Sequence, residues 1–176
     1  MHSDFSFRRL EDLARLIVPQ GVLFLLFILN LINLPGPGLE NIKPHFVLMA
    51  IYYWAIYRPT LVAPWLCFVM GLLMDFLSGV PVGLTAFVLV AIQWTVRDQR
   101  RFLMGQPYIA IWAVFGLVVA VVSLLSWGLC GLTGMRWTPL LPAIEEALIS
   151  FFLFPLVTLL LVFAHRILPV ASRDYP

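Results

Sequence analysis

Long apolar stretches, separated by short clusters of proline, glycine and arginine, run through most of the chain. Six of these stretches predict helices, at 16–34, 46–57, 60–77, 82–96, 108–132 and 143–168. A helix that crosses a bilayer needs about 20 residues, with a usual range of roughly 17–25. The stretches at 46–57 and 82–96 fall short of that range. The pattern therefore predicts a bundle of membrane helices in which two members are unusually short.

Composition places the chain in a membrane. Of its 176 residues, 62% are hydrophobic and 11% are charged, whereas soluble domains are about half apolar and about a quarter charged. Such a chain lacks the polar side chains to cover a water-facing globule, so lipid must be its main solvent. We predict an all-α integral membrane protein with one domain over 1–176. The net charge of +2 gives no reason to expect nucleic-acid binding.

The distribution of basic residues orients the predicted helices. If all six stretches cross and the N-terminus is inside, the outer side receives only Lys43 and Arg136. The cytoplasmic side then holds Arg8, Arg9, Arg15, Arg58, Arg97, Arg100, Arg101, Arg166 and Arg173. If 46–57 does not cross, every later loop changes side and the positive-inside rule is broken. The charges therefore favour six crossings with both termini in the cytoplasm.

Asp75 is a carboxylate within an apolar helix, where a charged side chain is unexpected. It lies near the outer end of the third predicted helix, just before a Gly/Pro turn. One interpretation is that it accepts hydrogen bonds from backbone N–H groups of 78–82 and fixes the hairpin. The other is that it forms a functional contact, as intramembrane ionisable residues often do. Gly71, one helical turn earlier, would let another backbone approach, and Gly79 and Gly83 suit the turn.

Other polar residues have simpler interpretations. Glu145 and Glu146 are predicted to open the last helix, where negative charge suits the helix dipole. Asn30, Asn33 and Gln93 are expected to form hydrogen bonds between helices.

Two further predictions concern proline and tryptophan. Pro59 suits the first turn of the third helix, whereas Pro155 is interior and should free the carbonyl of Phe151 and kink its helix. Trp54, Trp94 and Trp112 are expected in an aromatic belt near the inner membrane boundary.

The chain offers little for catalysis. No Ser-His-Asp, Cys-His or HExxH grouping is present. Cys67 and Cys130 lie inside apolar runs without metal-ligand spacing. We therefore predict no catalytic, cofactor-binding or metal-binding residue.

Two segments, 42–59 and 71–86, resemble the MreD family. The family pattern is a Lys-Pro that enters the second helix, an aromatic run that ends in Arg-Pro, and Gly-Leu-Leu-x-Asp followed by a Gly/Pro turn. His45 departs from the pattern, because the family often has an acidic residue there. The matching positions are Lys43, Pro44, Tyr53, Trp54, Arg58, Pro59, Gly71, Asp75, Gly79, Pro81 and Gly83.

The resemblance implies a non-enzymatic membrane scaffold of the rod-shape machinery in the bacterial inner membrane. The partners it implies are an MreC-like single-pass protein, a RodA-type glycosyltransferase, a class B penicillin-binding transpeptidase, MreB and membrane lipids. It also implies a six-helix bundle similar to the substrate-binding subunits of energy-coupling-factor transporters. The matching positions, apart from the aromatic pair, become candidates for structural or partner contact: Lys43, Pro44, Arg58, Pro59, Gly71, Asp75, Gly79, Pro81 and Gly83.

An alternative function stays open. A small-molecule transporter subunit or a lipid-binding protein would need an outward pocket lined by converging polar groups. Asn30, Asn33, Asp75, Glu145 and Glu146 could face the outer side of one bundle and form such a pocket.

Overall fold

The computed structural model describes residues 20–31, 43–79, 81–132 and 139–167. In these ranges the chain is helical and contains no strand, which confirms the predicted all-α class. The helices are α1 (Gln20–Leu31), α2 (Phe46–Tyr57), α3 (Pro64–Ser78), α4 (Leu84–Asp98), α5 (Arg100–Met104), α6 (Tyr108–Leu132) and α7 (Leu141–Ile167).

The predicted boundaries of α2 and α6 match the structure, and those of α4 and α7 differ by one or two residues. The predicted start of α3 is wrong: the helix begins at Pro64, which occupies its first turn. Pro59 lies in the preceding turn, where the Leu61 N–H bonds the Arg58 carbonyl at 3.0 Å. The break at 97–101 is also shorter than predicted, because only Gln99 separates α4 from α5.

Helix α2 forms the centre of the bundle. Every residue from Val47 to Ile56 is buried, and a helix that is apolar on all sides belongs in an interior. It packs against α4, α5 and α7. The expected position of Trp54 in a lipid-facing belt is therefore wrong, since its side chain is 0% exposed.

Polar groups at both ends of α2 bond to neighbouring helices. At the start, the His45 N–H donates to Ser150 Oγ of α7 at 2.9 Å. At the end, Arg100 Nε of α5 donates to the Ile56 carbonyl at 2.6 Å. The first N–H and last C=O groups of a helix have no intrahelical partner. These bonds therefore satisfy groups that would otherwise lack a hydrogen-bond partner in the apolar interior.

By length and composition, two described helices qualify as membrane spans. They are Tyr108–Leu132 and Leu141–Ala164, each with a mean hydropathy of 2.6. Helices α1, α2 and α3 are apolar but shorter. The arrangement with six crossings stays a prediction.

Helices α6 and α7 pack through an aromatic contact at a proline. Pro155 lies inside α7 and has no N–H to donate to the Phe151 carbonyl. Trp112 of α6 takes that role, because its Nε1–H donates to the Phe151 oxygen at 2.9 Å. The two rings stack with centroids 4.7 Å apart. Gly116 leaves room for the Phe151 ring, which would lie 2.7 Å from a Cβ at that position.

Helices α3 and α4 approach so closely that one side chain must be absent. A Cβ at Gly71 would overlap the Ala86 Cα and lie 2.6 Å from its backbone nitrogen. Backbone atoms cannot move aside as a flexible side chain can. The predicted role of Gly71, to let another backbone approach, agrees with this contact.

We expect Gly71→Ala to lower the free energy of unfolding by about 1–3 kcal/mol or more, the usual cost of overpacking. Gly128→Ala in α6 is the matched control, because a Cβ there meets nothing within 4 Å. Titration with a denaturing detergent, followed by tryptophan fluorescence, measures both. Equal stability of the two variants would contradict the close α3–α4 contact.

A second prediction concerns Trp112 and Pro155. Trp112→Phe should cost about 0.5–1.5 kcal/mol of unfolding free energy by removing the hydrogen bond to Phe151. In a Pro155→Ala background the cost should be smaller, because the backbone N–H that alanine restores then donates to the same carbonyl. The same titration on all four chains gives the coupling between the two sites. If Trp112→Phe costs the same unfolding free energy in both backgrounds, the Trp112 hydrogen bond does not depend on the carbonyl that Pro155 leaves unpaired.

Candidate functional site

The carboxylate of Asp75 bonds directly to the start of α4. Its side chain is 0% exposed. Oδ2 accepts the Gly83 N–H at 2.8 Å and lies 3.5 Å from the Ala86 nitrogen. Oδ1 accepts the Thr85 N–H at 3.0 Å. The carboxylate of one helix therefore caps the N-terminus of the next, where N–H groups lack helical acceptors and negative charge is favoured.

The predicted donors to Asp75 were the N–H groups of 78–82, and the structure places the donors later, at Gly83, Thr85 and Ala86. The reason is that α4 begins at Leu84 rather than at 82, so its unsatisfied N–H groups lie further along the chain. Sequence reasoning did not single out Thr85 or Ala86. A residue pair that begins a helix directly after a Gly/Pro turn is the signal that could have identified them.

The turn between the two helices depends on two glycines. Gly79 ends α3 with φ of 68°, and its N–H donates to the Asp75 carbonyl at 3.1 Å. Gly83 precedes α4 with φ of 98°. Residues with a side chain rarely adopt such positive φ values. Pro81 lies between them and its carbonyl accepts the Leu84 N–H at 3.2 Å. Asp75 thus ends α3 with its carbonyl and begins α4 with its carboxylate.

Apolar side chains cover the outside of this hairpin. The exposed fractions are 65% for Phe76, 60% for Leu77, 61% for Val82 and 71% for Phe87. The same surface continues along α3, whose exposed side chains are apolar apart from Ser78. The polar contact is therefore internal, and what the hairpin presents to its surroundings is hydrocarbon.

A cavity of about 190 Å³ opens beside the hairpin. Its apolar lining includes Leu48, Met74 and Leu89. Its polar lining comes from several helices and includes Asn30, Lys43, His45, Thr85, Ser126 and Glu146. Two residues expected to face an outward pocket, Asn30 and Glu146, do line it. Asp75 and Glu145 are not in its lining, and Asn33 lies outside the described residues.

His45 joins three helices at the edge of this cavity. Beside the backbone bond to Ser150, its Nε2 lies 3.3 Å from Ser123 Oγ of α6. Both serines are buried. Their isolation in apolar helices is itself a sign that a polar partner from another helix is needed.

Glu145 and Glu146 lie in the second turn of α7 and not in the first, so their predicted role at the helix start is wrong. Lys43 lines the same cavity as Glu146, so a basic and an acidic side chain meet there.

The nine contact candidates separate into two groups: Arg58 and Pro59 form one, and the other seven form the second. Lys43, beside the buried Pro44, lines the same cavity as the start of α4, whose backbone Asp75 caps. Arg58 and Pro59 lie at the other end of α2, where the Arg58 N–H ends the helix by donating to the Trp54 carbonyl at 2.8 Å. Gly71, Asp75, Gly79, Pro81 and Gly83 form the hairpin itself.

Metal-ligating side chains do not cluster in the described ranges. No group of three or more His, Cys, Asp and Glu residues is found there. Cys67 is a buried thiol.

Removing the Asp75 carboxylate should destabilise the chain. In Asp75→Ala each buried N–H left without an acceptor costs about 1–3 kcal/mol. The stability of Asp75→Asn should lie between that of the unchanged protein and that of Asp75→Ala. Asparagine keeps one acceptor oxygen, but its NH2 group faces backbone donors. Asp98→Ala is the matched control, since Asp98 is exposed at the far end of α4. Unfolding by denaturing detergent measures all four chains, and an Asp75→Ala chain as stable as the control would contradict the capping role.

No curated protein and no solved structure matches the chain. The family model described as rod shape-determining protein MreD matches residues 13–164. That match includes every contact candidate, the Asp75 hairpin and both helices that qualify as membrane spans. The chain therefore belongs to the MreD family of rod shape-determining proteins.

Proposed function

We propose that the chain is a non-enzymatic membrane scaffold of the rod-shape machinery that binds an MreC-like single-pass partner. Family membership supports a role in rod shape determination at the membrane. The observation that carries the scaffold role is the use of the Asp75 carboxylate. Both of its oxygens accept backbone N–H groups, so a carboxylate that would otherwise suggest proton or ion chemistry orders a hairpin.

Other buried polar side chains support the same proposal. The Tyr52 hydroxyl donates to the Ile111 carbonyl at 3.0 Å, and Gln93 Nε2 donates to the Val62 carbonyl at 3.1 Å. The Tyr52 bond joins α2 to α6. The Gln93 bond joins α4 to the segment before α3 and not to a helix as predicted, because Val62 precedes the helix start at Pro64. Polar groups used in this way build a rigid bundle and do not converge on a reacting atom.

The partner surface in this proposal is the outer face of α3 and its hairpin. Its exposed side chains are apolar and include Phe76 and Leu77. A transmembrane helix can dock on such a surface by close packing, which drives association of helices in lipid. Asp75 and Gly71 then act indirectly, by holding α3 against α4 and so fixing the shape of the face.

The wider assembly is also part of the proposal. We place the chain in the bacterial inner membrane with six crossings and both termini in the cytoplasm, as its basic residues favour. MreB, a RodA-type glycosyltransferase and a class B penicillin-binding transpeptidase are the further partners. Through them the scaffold supports peptidoglycan synthesis and the maintenance of cell shape.

A second candidate function rests on the cavity beside the hairpin. Its lining combines apolar side chains with the polar residues Lys43, Glu146, Asn30 and Ser126, which suits a small polar or amphipathic ligand. A transporter subunit or a lipid-binding protein would use it. The volume of about 190 Å³ is below the roughly 300–1,000 Å³ of usual ligand pockets, so we favour the scaffold.

The first experiment purifies the tagged chain from its native membrane in mild detergent and identifies bound proteins by mass spectrometry. We expect an MreC-like protein to dominate. Phe76→Ala with Leu77→Ala should reduce its recovery about tenfold or more, because truncating a central contact often costs over 1 kcal/mol. Phe163→Ala is the matched control, being 69% exposed on α7.

Two results would overturn the scaffold proposal. One is full recovery of the MreC-like partner by the double variant, together with normal cell shape. The other is recovery of ATPase subunits with a coupling membrane protein, which would make the chain a transporter subunit.

A further inference from the structure

We propose that the end of the bundle where α2 leads into α3 binds the head group of an anionic membrane lipid that carries two phosphates. A surface depression of about 550 Å³ opens there. It lies at the opposite end of α2 from the Asp75 hairpin, and the proposal does not depend on the scaffold function. The lining residues are Pro59, Trp94, Arg97, Asp98, Arg100 and Arg101.

The arginines converge because of their spacing. Arg97 lies one helical turn after Trp94, and Arg101 lies one turn after Arg97, so all three occupy one side of the chain. The break at Gln99 does not separate them, since they line the same depression. Arg97 and Arg101 are exposed. A chain that needed arginines only to orient its helices would not require them to meet in one depression.

Arg100 is held in place by the central helix. Its Nε donates to the Ile56 carbonyl at the end of α2, where unsatisfied carbonyls favour a cation. The contact directs a half-buried guanidinium into the lining. A guanidinium is a planar fork of donors that matches the oxygens of a phosphate.

Charge and size indicate the kind of anion. Three guanidinium groups face a single carboxylate, that of Asp98. An anion with two phosphodiester groups, each carrying one negative charge, would balance this excess of two positive charges. The volume leaves room for both and for a short linker between them.

Trp94 favours a lipid over a soluble anion. Its side chain is 72% exposed, and tryptophan rings prefer the level of the lipid head groups. Basic pockets between membrane helices are known to hold head groups with several phosphates. A head group at this depth would contact the arginines while its acyl chains stay in the bilayer.

The test titrates the delipidated full chain with cardiolipin and, separately, with phosphatidylglycerol at equal phosphate, and counts bound lipid by native mass spectrometry. We expect cardiolipin to bind more tightly. Arg97→Gln with Arg101→Gln should weaken cardiolipin binding about 30-fold, the effect of two basic residues near an anionic surface. Replacing both by lysine should weaken it less, since the charge remains and only the fork is lost.

Asp98→Asn is the control of opposite sign. Removing the one carboxylate should strengthen cardiolipin binding about fivefold. It also keeps the proposal testable if the double glutamine variant does not fold, which is checked by unfolding in detergent without anionic lipid.

Three results would overturn the proposal. The first is equal binding of both lipids at equal phosphate. The second is cardiolipin binding that Arg97→Gln with Arg101→Gln leaves unchanged. The third is displacement of cardiolipin by inorganic pyrophosphate at the same concentration, which would assign the depression to a soluble anion.

Discussion

The structure depends on one constraint, which is that hydrocarbon offers no hydrogen-bond partners. A polar group in the bundle must find its partner in the protein. Asp75 meets this constraint for the start of α4, Arg100 for the end of α2, and Trp112 for the carbonyl that Pro155 leaves unsatisfied. In each case the group that needs a partner belongs to the backbone, and the side chain that supplies it comes from another helix. Satisfying the backbone therefore also joins the helices.

Close approach of the helices is the second requirement, and it follows from the first. The Asp75 oxygens reach the N–H groups of Gly83 and Thr85 only because α3 and α4 lie almost in backbone contact. Gly71 allows that contact, since a Cβ there would overlap the Ala86 backbone. Gly71 and Asp75, one helical turn apart, therefore act together. The glycine allows the short distance between α3 and α4, and the carboxylate fixes how the two helices are aligned.

Sequence reasoning predicted much of this arrangement from local chemistry. The apolar stretches and their lengths predicted the long helices but not the short α5, and the chemistry of proline predicted the unsatisfied carbonyl of Phe151. The sequence could not reveal which distant side chain forms the hydrogen bond to each unsatisfied backbone group. Trp112 and Phe151 are far apart in sequence, and nothing local indicates that they meet. The errors at Trp54 and Glu146 have different causes. Trp54 was placed by its position along α2, whereas packing of the other helices around α2 buries it. Helix α7 begins two residues earlier than predicted, so Glu146 falls in its second turn.

The internal use of polar groups determines how a partner can be recognised. Since the Asp75 oxygens are occupied by backbone donors, the outer face of α3 has no carboxylate to offer. Its exposed side chains are apolar except for Ser78 at the end of the helix. Apolar surfaces gain little from association in lipid unless they fit closely, because lipid tails are equally apolar. Specificity for a partner helix must then come from shape, which the capped hairpin and the close α3–α4 contact hold rigid. Loss of the carboxylate would make that shape less rigid, although in the proposed complex the carboxylate itself does not contact the partner.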